Sequence, residues 1–276
     1  MLGQWPSRLM APAIMGALVA APSSAMPVPL RTKSEIPGVS LIARDVLPRS
    51  PENGSVEDYC QGYRSKKLTA NGRQVAKLGW IVTSEAPLGP YQVVTFASDF
   101  TPGTSALCFA RNANIAVFKG SQLVALAYSS RSATSPLGVA EPLESGALLV
   151  WTDPPGTPRG ELHADSNGVR LTAIALERTF CNRRAVVPNV YGQPLDVARK
   201  TLIAHGWEPM RPQKAPNEWN LASDLAKQGI VEAETCSGTG LGYCSLNYRG
   251  PAGVLAVTSA GDDPTVAWYT VKCRAR

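Results

Sequence analysis

The stretch from Val187 to Pro209 constrains this chain most, because it marks both ends of one helix inside a sequence otherwise patterned for strands. Pro194 suits a first helical position, where its missing N–H would find no partner in any case. Gln193 then falls at the N-cap, and Asp196 in the first turn meets the positive end of the helix dipole. Leu195, Ala198 and Leu202 recur at helical spacing and share one face. Gly206 stands where the chain must leave the helix with positive φ. A helix this short holds only when its apolar stripe is covered. The sequence downstream predicts the cover. Asn220 to Gln228 reads as a second short helix closed by Gly229. Ile230–Thr235, Cys244–Tyr248, Val254–Ser259 and Val266–Val271 read as strands joined by Gly/Pro-bearing turns. Residues 187–276 are therefore expected to form a small α+β unit.

Within this region Val187, Pro188, Val190, Gly192, Ala198, Leu202, Gly206 and Trp207 resemble the opening half of a PASTA domain, over residues 187–211. The Gln-x-Pro-x-x-Gly run usual in that family's second half is absent, and the Gly-rich run Cys236–Cys244 stands in its place. PASTA domains are extracytoplasmic modules of cell-wall transpeptidases and receptor kinases, many linked to peptidoglycan fragments. The resemblance implies a non-catalytic envelope module and supplies no ligand of its own; peptidoglycan or another cell-wall polymer is the candidate ligand.

Upstream, residues 55–182 carry short apolar runs at Val75–Thr83, Tyr91–Ala97, Ala106–Ala110, Asn114–Phe118, Gln122–Tyr128, Ala147–Thr152 and Gly168–Leu176. Turn signals such as Lys119-Gly120-Ser121 separate them. This pattern predicts an antiparallel β sandwich or barrel-like domain, with a helical hint confined to Asp58–Arg64. The whole is expected to be mainly β with α+β. Residues 26–54, broken by prolines, read as a mostly flexible linker, with an edge strand over Val39–Ala43 as the alternative.

Residues 1–25 read as a signal peptide: Arg8, an apolar run from Leu9 to Val19, and the small residues Ser23, Ser24 and Ala25. The run is shorter than the ~20 residues that span a bilayer, so the protein is expected to be periplasmic or secreted and not integral to the membrane. Export turns the six cysteines into disulfide candidates. Cys60 and Cys181 bracket the expected sheet and could tie its ends. Cys244 with Cys273, or Cys236 with Cys244, could close within the second unit, and Cys108 is left over. No zinc-type Cys spacing is present, so no metal is expected.

The formal net charge is +6, Arg8 included. The basic residues are scattered without a nucleic-acid motif, so no nucleic-acid partner is expected. Gly238, Gly240 and Gly242 lack the following Lys-Ser/Thr of a phosphate loop and the spacing of a dinucleotide fingerprint, so no cofactor is expected. His163, Asp165 and His205 are candidates for an exported hydrolase, but no Gly-x-Ser-x-Gly elbow accompanies them. No catalytic residue is therefore assigned. The second unit carries the large aromatics Trp207, Trp219, Tyr243 and Trp268, and beside arginines such rings suit sugar or peptide; the binding candidates are Arg199, Trp207, Arg211, Trp219 and Tyr243. Besides a cell-wall ligand, another envelope protein is a candidate partner, in which case the chain is a structural or inhibitory protein.

Overall fold

The computed structural model describes residues 30–52, 58–103, 107–129, 137–152, 156–166, 168–238 and 240–275. The expected leader, residues 1–25, lies outside them. The fold is mainly β with three short α-helices among the described residues. The N-terminal unit contains strands β1 (Arg31–Ser34), β2 (Val39–Ala43), β3 (Ile81–Leu88), β4 (Tyr91–Ala97), β5 (Asp99–Pro102), β6 (Cys108–Arg111), β7 (Asn114–Lys119), β8 (Gln122–Ser129), β9 (Leu137–Pro142), β10 (Leu148–Thr152), β11 (Pro158–Ala164) and β12 (Gly168–Thr172). A 3-10 helix, Asp58–Tyr63, and helix α1 (Ala70–Ala76) complete it.

Two five-stranded sheets, ordered β2-β8-β7-β4-β3 and β1-β12-β11-β10-β9, share one core. Leu41, Val93 and Val117 from the first meet Leu148, Leu162 and Leu171 from the second. The first sheet also buries its other face: Trp80, Val94, Phe96 and Phe118 pack with Val75 of α1. Strands buried on both sides read as continuous apolar runs. This is why Tyr91–Ala97 is visible in the sequence without alternation.

The N-terminal unit departs from the pattern of its sequence at three places. Residues 31–43 are not linker. Strand β1 pairs in parallel with β12 and β2 pairs with β8, so this segment crosses from one sheet to the other. The run Val75–Thr83 is not one strand, because α1 ends at Ala76 and β3 begins at Ile81. The third is the run Gly168–Leu176, whose strand stops at Thr172. Helix α1 owes its place to tertiary capping. Thr69 Oγ1 accepts from Gly72 N at 3.2 Å, and Glu85 of β3 accepts from Thr69 N at 3.0 Å. A Cβ on Gly72 would lie 2.4 Å from that carboxylate, so a larger residue there would push Glu85 off the helix end.

The C-terminal unit contains β13 (Glu177–Phe180), β14 (Ala185–Pro188), α2 (Leu195–Ala204), β15 (Glu208–Pro209), α3 (Leu221–Lys227), β16 (Ala233–Cys236), β17 (Cys244–Gly250), β18 (Gly253–Ala260) and β19 (Thr265–Cys273). Its sheet runs β15-β17-β18-β19, with β16 also paired to β17. The expected apolar stripe of α2 is buried: Leu195, Ala198 and Leu202 join Leu246, Leu255 and Tyr269 in one core. The helix begins one residue later than the sequence suggests. Pro194 is the N-cap and no side chain caps the end, so Gln193 does not. Gly206 has φ +82, as the turn requires.

The three disulfides are Cys60–Cys108, Cys181–Cys273 and Cys236–Cys244. The last is one of the pairings anticipated. Cys60–Cys181 is overturned because Cys181 sits past the sandwich, in the turn between β13 and β14, and packs in the second core. Cys244–Cys273 is overturned by register. Cys244 lies opposite Ser259 and Cys273 opposite Gly253, at the two ends of β18 and on its two sides. The expected division after 182 thus falls inside the β13–β14 hairpin. Three disulfides fit folding in an oxidising compartment. Among the described residues no helix is long and apolar enough to cross a membrane.

Candidate functional site

Strand β18 alternates strictly between buried and half-buried residues. Its inward side chains fill the second core. Its other face, carrying Thr258 directly opposite Trp268 of β19, turns toward the N-terminal unit. Between the two lies a cleft of about 350 Å³. Tyr63, Phe100, Val139, Glu141 and Trp151 line it from the first unit, and Tyr243, Thr258, Ala267 and Trp268 from the second. Five aromatic residues face a single space. Trp268 is 41% exposed, too open for a core residue.

Two disulfides build the walls. Cys60–Cys108 ties the 3-10 helix that carries Tyr63 to β6, and Tyr63 packs against Phe100 with ring centroids 5.7 Å apart. Cys236–Cys244 closes the loop that carries Tyr243 on the far wall. Within that loop Gly240 and Gly242 take positive φ, Ser237 N donates to Tyr243 O at 2.7 Å, and Gly261 N donates to Leu241 O at 2.8 Å. The glycines therefore shape a turn. Burial pushes the Tyr243 phenol above its ordinary value, and the neighbouring Tyr63 adds to the shift.

The units are held in this pose by contacts beside the cleft. Asn182 N and Arg183 N donate to the two oxygens of Glu144, at 3.2 and 3.3 Å. Cys181, Asn182 and Arg183 all have positive φ, which turns these N–H groups outward as a nest for a carboxylate. Trp151 meets Tyr191 edge-on at 5.4 Å, and Tyr191 stacks on Tyr269 at 4.3 Å. Arg178 lies 5.0, 5.8 and 5.4 Å from the centroids of Phe180, Tyr191 and Tyr269, and donates to the Tyr191 hydroxyl.

Of the binding candidates read from sequence, only Tyr243 lines the cleft. Trp207 is 2% exposed, packs over Gly250 and donates its indole N–H to Val186 O at 3.0 Å. Arg199 is spent on a structural pair. Its Nε lies 2.9 Å from Glu232, which is fully buried and also accepts from Tyr248 at 2.7 Å. Trp219, 89% exposed, and the exposed Arg211 stand apart from the cleft. Trp151 is absent from the sequence candidates, and Trp268 stands among the large aromatics of the second unit without being assigned to the site. Each sits in a strand run and reads as core, and nothing local says that its face meets another unit.

Comparison with family models, with curated proteins and with solved structures returns no match. The site must be judged on its own chemistry. Besides the cleft, His163 Nε2 lies 3.3 Å from the buried carboxylate of Glu161, in a hollow of about 290 Å³ that Ser145 also lines. Ser145 Oγ there accepts from Ala147 N at 3.4 Å. His205 caps α2 with its ring nitrogen 2.7 Å from Thr201 O.

Proposed function

We propose that this chain is an exported envelope protein, periplasmic or secreted, that binds a cell-wall fragment in the cleft between its two units. The observation that carries the reading is the meeting of aromatic walls from both units around one space of about 350 Å³. That size, with a few polar groups among apolar walls, is the usual form of a small-ligand site. Aromatic rings stack on the C–H faces of sugars and on flat peptide groups, while Thr83, Thr258 and Glu141 supply hydrogen-bonding partners. The leader-like N-terminus, the disulfides and the PASTA-like opening of α2 support the envelope setting. A structural or inhibitory partner protein would be served by a flat apolar patch, whereas this surface is concave.

Purified sacculi should capture the wild-type chain and release most of it when Trp268 is changed to Ala. Capture no better than a control bead, or unaffected by Trp268→Ala, removes the proposal. The Glu161–His163 pair favours a second reading, an exported hydrolase. A His163→Ala variant with wild-type behaviour in every envelope phenotype would remove its best residue.

A further inference from the structure

Resting on the reading of the cleft as a binding site, we propose that the moiety it holds is an organic cation with an apolar body, its ammonium group set against Glu141. The chain has 27 Lys and Arg against 21 Asp and Glu. Yet among the described residues lining the cleft no Lys, Arg or His appears, and Glu141 is the one charged group. Glu141 Oε2 accepts the Trp151 indole N–H at 3.1 Å. Among the described residues its other oxygen has no hydrogen bond.

The charges behind Glu141 leave it available. A neighbouring hollow shares Glu141 and Trp268 and is also lined by Glu144 and Arg178. Glu144 is occupied by the Asn182 and Arg183 N–H groups. Arg178 is held over the three rings and on the Tyr191 hydroxyl. No ion pair joins Arg178 to Glu141 among the described residues. A carboxylate amid aromatic rings attracts a cation twice, through its own charge and through the negative ring faces. An anion entering the same space meets repulsion from both.

The test is a tryptophan-fluorescence titration of the full chain with three probes of one shape: benzyltrimethylammonium, its uncharged carbon analogue neopentylbenzene, and benzylsulfonate. The cation should bind at least tenfold tighter than the neutral analogue, and the anion weakest of all. In Glu141→Gln, which keeps the acceptor for Trp151 and leaves the ring faces in place, the cation-to-neutral ratio should fall several-fold. In Trp268→Ala both probes should weaken together. Equal affinity for cation and neutral analogue, or an unchanged ratio in Glu141→Gln, overturns the cation assignment. If the neutral analogue still binds in a Trp268-dependent way, the cleft reading survives that failure. If no probe binds, the assignment falls and sacculus capture judges the cleft separately.

Discussion

The two units solve the same problem with different means. The N-terminal unit buries three layers, α1 against one sheet and that sheet against another, and carries one disulfide. The C-terminal unit has a single sheet with two short helices and a hairpin, and carries two. One of these, Cys181–Cys273, joins the turn of its first hairpin to the end of its last strand across 92 residues. A small core gains less from burial per residue, so covalent closure takes a larger share of its stability. The contrast teaches that the second unit, which supplies Trp268 and Tyr243, is held by links the first can spare.

The sharpest way to break this contrast is to remove one disulfide from each unit. Cys181→Ala with Cys273→Ala should cost about 4–5 kcal/mol on the chain-entropy model and unfold the C-terminal unit first, seen as a separate calorimetric transition. Cys60→Ala with Cys108→Ala removes a 48-residue link and about 4 kcal/mol, yet should leave both transitions present. Two units that respond alike would erase the distinction.

The buried charge is the next point of attack. Arg199→Leu strands Glu232, which is fully buried, and should cost about 3–5 kcal/mol by urea denaturation. Glu232→Gln, which keeps an acceptor for Tyr248, should lose less.

Alkaline pH separates the units without mutation. Burial raises the phenols of Tyr191, Tyr248 and Tyr269, all in the C-terminal core, above their ordinary value of 10.0. A raised folded-state value means the stability is fully present below pH 10 and is lost as pH climbs, because the unfolded chain ionises where the fold stays neutral. By pH 11 each tyrosine should withdraw roughly 1 kcal/mol, and the C-terminal transition should fall first. A C-terminal melting temperature constant from pH 9 to 11 would contradict this.

The smallest stability effect should carry a disproportionate functional one. Cys236→Ala with Cys244→Ala opens a separation of only 8 residues, worth about 2.5 kcal/mol. It should nevertheless weaken ligand binding several-fold by releasing Tyr243, which sacculus capture at matched folded fraction would measure.

The sequence made local elements legible where a single face decides them. Tyr91–Ala97 and Val39–Ala43 coincide with strands, and α2 differs by one residue at its start. What stayed hidden depends on distant partners. Helix α1 contains Asn71 and Gly72, poor helix formers, and its Thr69 cap is held by Glu85 from another element while Val75 packs on the sheet. Strands β9 and β11 mix Pro, Gly and charged residues into their runs, and β13 and β14 have only four residues each. Of the site, Tyr243 was legible as an aromatic in a pinned Gly-rich loop. Trp151 was not, and Trp268 was visible only as one more large aromatic, since a strand tryptophan facing a neighbouring unit carries the same local pattern as one facing a core.

Whether ligand enters between the units is read by fluorine NMR of 5-fluorotryptophan-labelled protein titrated with soluble peptidoglycan fragments. Trp151 and Trp268 line the cleft, whereas Trp80 and Trp207 sit in separate cores and Trp219 is exposed elsewhere. Saturable shifts are expected at Trp151 and Trp268, with Trp80, Trp207 and Trp219 unmoved. Shifts at Trp219 alone, or at none of these five of the six tryptophans, would contradict entry between the units.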